Sequence, residues 1–477
     1  MSLRRLFSTT RQVRAFPLAV SDLLARHSID TRVGDFEADA NEPIIDHLRR
    51  RSLIETVVNE DHLARLAREK TLGLYCGADP TAKSLHLGNL LPLMVLLHFN
   101  LRGHSITALV GGATGTVGDP SGKTTERAQM EQQERLDNVA RIEAQFEQFF
   151  SNGRRYATSR NHLLDRRHGE VAVRNNHDWW KDMGFLEFLA RYGRFIRVNQ
   201  MLSRESIRSR LDSEQGIGFN EFTYQLLQAY DFYYLNENHG VDVQVGGNDQ
   251  YGNIVAGLDL IDRLHPGERK KAFGVTVPLL TTANGVKFGK SAGNAVFIDK
   301  SLTPSFQLYQ FLYNTLDEDV AKLLYKFSLL PTALIERVCE FHRHNRALRL
   351  GQRLLAVELC DLLHGDGEGR ANMVISDALY EDTELDVDEV LAAFRRQNMI
   401  TAVGKEELAS VGDLLHRKLA GVSKKEIKRL LAGGAVSVGK QRVKLSRWDD
   451  PVDRSLVVDG RLLLIRTGKQ VHVFEVK

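Results

Sequence analysis

The sequence predicts an α/β fold: an open parallel sheet with helices, then a helical segment, then a small basic α+β tail. Three observations carry that prediction. Short apolar runs recur between helical patterns, and Ser105–Val110 and Val241–Val245 run straight into Gly111-Gly112 and Gly246-Gly247. Open α/β sheets bind ligands at such strand ends. Pro304 to about Met399 changes to helical Leu/Ala/Arg periodicity. From Gly404 to Lys477, 16 Lys and Arg face 9 Asp and Glu, a surplus of +7 within a whole-chain net of +3, which leaves the preceding residues at −4. A basic tail on a mildly acidic body suits a polyanionic partner.

Composition excludes several classes. Apolar content of 43% and charged content of 26% are globular values, and no apolar run approaches a membrane span, so no membrane partner is expected. Cys76, Cys339 and Cys360 form no CxxC pair. That argues against a disulfide framework or zinc ribbon and fits a reducing compartment.

In chain order, residues 1–21 carry Arg4, Arg5, Arg11 and Arg14 with no acid before Asp22, which resembles a mitochondrial presequence. Ile44 to Lys70 reads as helix with a charged outer face. Within YCGADPTAKSLHLGN (75–89), Tyr75-Cys76-Gly77 reads as the end of a buried strand. Asp79-Pro80-Thr81 then predicts a turn and a helix start, and His86 and Asn89, three apart, share a helix face. Helix continues through Asn100, Ser105–Val110 is the next strand, and Glu126 to Phe150 is helical. Asn175 to Trp180 reads as a polar-aromatic turn, and Phe185 to Arg210 as helix bearing Arg194, Arg197, Arg204 and Arg208.

The loop GGATGTVGDPSGKTTER invites comparison with a phosphate-binding P-loop. That motif needs a glycine where this chain has Val117, and Gly118 lies one residue late, so the spacing fails. A nucleotide-facing glycine loop of another kind remains. In YQLLQAYDF, Tyr224, Gln228 and Asp231 fall at i, i+4 and i+7, a polar stripe on a largely apolar helix. Such groups need partners in the fold or in a ligand. QVGGNDQYGN follows from Gln244, Phe273 to Leu280 is a strand with Pro278 near its end, and Lys287 to Ser291 (KFGKS) is a loop with two lysines three apart. In the tail, Lys424, Lys425, Lys428 and Arg429 cluster on one side of a short helix that Gly433-Gly434 ends, and Ala435 to Gly439 makes a strand and turn.

Set side by side, these segments resemble the tyrosyl-tRNA synthetases of bacterial and mitochondrial type. HLGN at 86–89 is similar to the class I HIGH signature and KFGKS at 287–291 to the KMSKS loop, in matching order with the other segments. The resemblance runs from about residue 44 to the C-terminus. It implies a Rossmann-like catalytic domain over 44–295, a helical anticodon-side domain over 296–403 and an S4-like RNA-binding domain over 404–477, behind a presequence at 1–21. It further implies activation of L-tyrosine by ATP with Mg²⁺, transfer to the 3′ adenosine of tRNA(Tyr), and no tightly held protein metal site. A homodimer formed around Asp178 to Gln200 and a place in the mitochondrial matrix are also expected.

Carried over residue by residue, Tyr75 and Asp231 match the pair on the substrate phenol hydroxyl. Asp119, Tyr224 and Gln228 match the cage around its ammonium, and Gln244 a further tyrosine position. Asp79, Gly88, Gly246, Asp249 and Gln250 match nucleotide-lining positions. Thr81, His86, Lys287 and Lys290 match groups that compensate charge as pyrophosphate leaves, with Lys123 and Arg127 on a second cationic loop. Asn89 departs from the signature's second histidine, keeping an amide donor without a titratable charge; Ala78 and Tyr251 also depart from common family choices. A tryptophan-activating relative shares the fold, but an indole offers no hydroxyl to Tyr75 and Asp231. A non-catalytic RNA-binding descendant would not need both loop lysines, His86 and the tyrosine cage.

Overall fold

Six strands form the larger sheet: β1 (Val57–Val58), β2 (Gly73–Ala78), β3 (Ser105–Val110), β4 (Val171–Asn175), β5 (Val243–Gly247) and β6 (Phe273–Val277). Their spatial order is β1-β6-β5-β2-β3-β4, and every pair is parallel except β1 with β6. The chain leaves β2 for β3 and β4 on one side, then returns to build β5 and β6 on the other. Winding therefore reverses between β2 and β5, and the crevice at their carboxyl ends is where doubly wound sheets place ligands.

This is a computed structural model that describes residues 18–121, 130–160, 168–212, 216–267, 272–285, 288–291, 294–382 and 384–477. Most of the expected presequence lies outside them. The chain forms two compact units, 1–304 with 311–366, and 305–310 with 367–477. The stretch 296–403 thus supplies residues to both.

β2 is apolar without alternation because both its faces are covered: Leu74 and Cys76 are buried, and so is Tyr75 between them. Tyr75 sits in a core with Leu109, Trp179, Phe232 and Ile254, contributed in part by the helices Phe219–His239 and Tyr251–Leu264. The helix Leu90–Asn100, apolar on all sides, is buried and packs against β2, β3 and β5.

Several local expectations change. Ile44 to Lys70 is two helices, Ile44–Arg50 and Glu60–Glu69, separated by β1 and by left-handed residues at Ser52 (φ 53°) and Asn59 (φ 60°). Pro80 does not open a helix; the chain stays irregular to a 3₁₀ turn at Leu87–Asn89. Phe185 to Arg210 breaks into the short helices Phe185–Arg191, Val198–Leu202 and Glu205–Leu211. The long helix before β4 is Gln132–Arg160, and β6 stops at Val277, before Pro278. β4 itself escaped the sequence reading because this edge strand is only half-buried along its length.

After the larger sheet come the two-residue strands β7 (Lys290–Ser291) and β8 (Asn294–Ala295), paired antiparallel. The second unit holds β9 (Thr401–Val403), β10 (Val436–Val438), β11 (Val443–Lys444), β12 (Leu462–Thr467) and β13 (Gln470–Val476), in the order β11-β10-β12-β13-β9. Both faces of β12 are covered. Leu463 and Ile465 pack with Leu414, Leu415, Ile427 and Leu431, while Leu462 and Leu464 pack with Ile375, Leu379, Val390 and Phe394. This sheet fits an S4-like domain with an added helical layer, Glu368–Tyr380 and Val387–Arg396. Lys424, Lys425, Lys428 and Arg429 remain exposed on the helix Lys424–Ala432.

Candidate active site

The crevice between β2 and β5 is floored by backbone and framed by hydrogen bonds. Asp79 follows β2 directly. Its Oδ1 accepts from Thr114 Oγ1 at 2.8 Å and its Oδ2 from the Tyr224 hydroxyl at 2.8 Å. Gly111, just past β3, permits this: a Cβ there would lie 2.0 Å from Asp79 Oδ1 and 2.5 Å from Thr114 Oγ1. The frame continues through Asn176, whose Nδ2 donates to Thr114 Oγ1 at 2.9 Å and to Asp231 Oδ2 at 2.9 Å. One chain of bonds therefore joins Tyr224, Asp79, Thr114, Asn176 and Asp231.

Asp231 is 2% exposed and also accepts on Oδ1 from Trp179 Nε1 at 2.8 Å and Trp180 Nε1 at 2.7 Å. Burial outweighs these three donors and pushes its carboxyl up to about 7. Tyr75, 1% exposed, carries a hydroxyl with no hydrogen-bond partner among the described residues. Burial first, and the Asp231 charge second, hold its phenol well above the ordinary range. Gln244 is the registered neighbour of Tyr75 across the β2–β5 pair, and its Oε1 is likewise buried and unpartnered among those residues. Two buried polar atoms on neighbouring strand residues left open, one of them beside the Asp231 carboxylate, mark a polar ligand position.

A second group lies at the end of β5. Gln250 Nε2 donates to Asp119 Oδ2 at 2.7 Å, and the Ser121 amide donates to Asp119 Oδ1 at 3.0 Å. Asn253 Nδ2 donates to Gln228 Oε1 at 3.0 Å and to Gln250 Oε1 at 3.1 Å. The structure thus ties Gln228 to Asp119 through Asn253 and Gln250, while the Tyr224 hydroxyl donates to Asp79. Gly246 and Gly247 keep this turn tight: a Cβ at Gly247 would sit 2.3 Å from Asp249 Oδ1. Asp249 itself is exposed.

The HLGN turn makes the third wall. His86 Nδ1 accepts from the Gly88 amide at 3.1 Å, and Asn89 Oδ1 accepts from the His86 amide at 3.0 Å, a reciprocal cap. The segment is bound to the chain that follows KFGKS. Leu87 N donates to Val296 O at 3.1 Å, Ile298 N to Leu85 O at 3.0 Å, and Val296 N to Gly289 O at 2.7 Å. Gly289 adopts φ +90°, and a Cβ there would lie 3.2 Å from Leu87 Cβ. His86 and Thr81 are exposed, and Gly88 and Asn89 are half-buried. Lys123, Arg127 and Lys287 lie outside the described residues, and only the backbone of Lys290, in β7, is described.

Sequence reasoning missed Thr114, Asn176, Trp179, Trp180 and Asn253. The signal for three of them was present in the segment Asn175 to Trp180, where two indole N–H groups beside asparagines demand acceptors once buried.

The family model for tRNA synthetases class I (W and Y) matches residues 67–381. The mitochondrial tyrosine–tRNA ligase of Saccharomyces cerevisiae is 46% identical over 90% of this chain and 88% of its own length. Tyrosine–tRNA ligase 1 of Enterococcus faecalis is 37% identical over 90% of this chain and 97% of its own. Among solved structures, a C-terminally truncated mitochondrial tyrosyl-tRNA synthetase of Aspergillus nidulans is 35% identical, with a TM-score of 0.65 over 71% of this chain and 95% of that one.

Proposed function

The chain belongs to the tyrosyl-tRNA synthetases of mitochondrial and bacterial type, and from that premise we propose how its residues divide the chemistry. It is a tyrosine–tRNA ligase: it activates L-tyrosine with ATP to tyrosyl-adenylate and transfers the tyrosyl group to the 3′ end of tRNA(Tyr) in organellar translation. Its mitochondrial relatives support a mitochondrial place of work, and we infer the matrix from its role in organellar translation.

Tyr75 and Asp231 select the substrate by its phenol hydroxyl. The carrying observation is the open Tyr75 hydroxyl beside the Asp231 carboxylate, both shut away from water. Phenylalanine would leave both unpaired in a dry pocket, an asymmetry for which this enzyme family is itself the usual illustration. Asp119 counters the substrate ammonium, with Gln228 held beside it through Asn253 and Gln250. Tyr224, bonded to Asp79, closes the cage, and Gln244 supplies a further acceptor.

ATP enters as its Mg²⁺ complex and lies over Asp79, Gly88, Gly246, Asp249 and Gln250. The substrate carboxylate is already ionised and attacks the α-phosphorus without a general base. The chain's task is to compensate charge on the departing pyrophosphate, through Thr81 and His86 with Lys123, Arg127, Lys287 and Lys290. Asn89 acts by holding the His86 backbone in its cap.

The tRNA is gripped by the basic 404–477 domain, through the exposed Lys424, Lys425, Lys428 and Arg429. Catalytic and helical functions divide near residues 44–295 and 296–403. A second copy of the chain covers the exposed apolar face that carries Phe185 (63% exposed), Leu186 (80%), Leu189 and Val198. Pyrophosphate exchange with tyrosine, phenylalanine and tryptophan tests the site assignment. Tyrosine alone should support exchange, and equal use of phenylalanine would discard the hydroxyl pair.

A further inference from the structure

The surroundings of Asp231 allow its hydrogen bonds to be counted. An ionised carboxylate offers about four acceptor positions. Trp179 Nε1 at 2.8 Å and Trp180 Nε1 at 2.7 Å occupy Oδ1, and Asn176 Nδ2 at 2.9 Å occupies one position on Oδ2. Among the described residues one position is left, on Oδ2. An indole nitrogen can only donate. Asn176 also presents its donor side, because its own Oδ1 accepts from the Ala113 amide at 2.8 Å. All three groups bonded to the carboxylate therefore favour its ionised form, and the open position on Oδ2 is the place where a proton and a substrate hydroxyl compete. The buried Tyr75 hydroxyl stands open nearby. A single hydroxyl completes the set by donating to Oδ2 and accepting from Tyr75.

We propose that Trp180 is a specificity-determining positioning residue: with Trp179 its indole N–H fills Oδ1 and orients Asp231 so that the one open lone pair on Oδ2 faces a phenol hydroxyl. The inference rests on the assignment of Tyr75 and Asp231 to that hydroxyl. Trp180 is the informative member of the indole pair. Trp179 is buried and stacks on Tyr234 at 4.5 Å, so any change there disturbs the core. Trp180 is half-buried and packs against Tyr230 at 4.9 Å and Phe188 at 5.3 Å. A phenyl ring can keep that packing while losing the donor.

The test is Trp180→Phe in the full chain, assayed by pyrophosphate exchange. kcat/KM for tyrosine should fall about tenfold to a hundredfold, as for a lost hydrogen bond to a charged group. KM for ATP should hold, and the preference for tyrosine over phenylalanine should narrow by the same factor. The acid limb of tyrosine use should move to higher pH, because one donor that favours the ionised carboxylate is gone. The other groups facing Asp231 (Tyr75, Asp79 and Tyr224) are the same in both proteins. Trp180→His, which restores a ring N–H, should regain part of the preference at pH 8, and it carries the comparison if the phenylalanine variant does not fold. A lower melting temperature with preference and acid limb unmoved would overturn the proposal. Asp231→Ala run in parallel separates the two readings. Unchanged tyrosine preference there removes the hydroxyl assignment itself. Lost preference there, with Trp180→Phe unmoved, removes only the role of Trp180.

Discussion

At the amino-acid end of the crevice, Tyr75 and Asp231 are buried inside a bonded frame; at the phosphate end, Thr81, His86 and Asp249 stand in solvent. The two ends face different physical tasks. Recognising a hydroxyl depends on the cost of leaving its partners unpaired, and that cost exists only where water cannot replace the substrate. Hence Asp231 is given three donors and no exposure. Stabilising departing pyrophosphate depends on positive charge and on donors that meet the phosphates as they separate. Those groups can stay hydrated until substrate arrives, so the HLGN turn spends its bonds on holding backbone, His86 with Asn89 and residues 85–87 with 296–298.

The contrast breaks most sharply at Asp231. Asp231→Ala leaves the substrate hydroxyl and two indoles without their acceptor and removes one acceptor of the Asn176 amide. Tyrosine kcat/KM should drop about a thousandfold, the sum of two or more hydrogen-bond losses, with ATP KM little changed. Steady-state exchange with each substrate varied in turn reads that split. His86→Ala should act at the other end only, lowering kcat about a hundredfold with tyrosine KM unmoved, as for loss of one transition-state donor. A rise in tyrosine KM equal to the fall in kcat would dissolve the division between the ends.

Acidity sharpens the comparison further. Burial pushes the Asp231 carboxyl up to about 7 in the free protein, and its ionised form accepts the phenol proton far more strongly than the neutral acid. Tyrosine kcat/KM should therefore fall about tenfold per unit below that pH, while ATP KM stays flat. Stability follows the opposite sign. A folded-state value raised above the ordinary carboxylate range gives stability that is complete at low pH and lost as pH rises through about 7. Melting temperature of the ligand-free protein across pH 5–8 measures this contribution against the activity profile. The smallest effect belongs to Asn89→Ala. Removing its cap on the His86 amide should cost about 1 kcal/mol of local order, read as a roughly fivefold lower kcat. An effect as large as that of His86→Ala would mean that Asn89 contacts the phosphates itself.

Legibility differed between local pattern and long-range partner. The Tyr224, Gln228 and Asp231 stripe was readable because helix periodicity is local, and all three lie on the helix Phe219–His239. Their grouping was not. Tyr224 bonds to Asp79, 145 residues away, a link that no local pattern carries and that exists because β2 lies between β5 and β3 in the sheet. HLGN was read as a helix face and is instead a capped 3₁₀ turn, since its backbone is engaged by residues 296–298. In the tail, the LLLI run of β12 signals a strand buried on both faces, yet nothing local says that Glu368–Tyr380 and Val387–Arg396 cover one of them. A tail deletion at Gly404 would uncover Ile375, Val390 and Phe394; a cut at Gly367 follows the unit boundary.

By itself the sequence determined the strands β2, β3, β5, β6 and β10, the glycines at their ends, the polar stripe and the two signature segments, because backbone propensity and side-chain period act over a few residues. Only the tertiary structure decided which donors meet Asp231. Trp179, Trp180 and Asn176 arrive from the far end of β4, more than fifty residues before it in the chain. Hydrogen bonds between distant segments depend on strand order and register, and those are settled by the packing of the whole sheet.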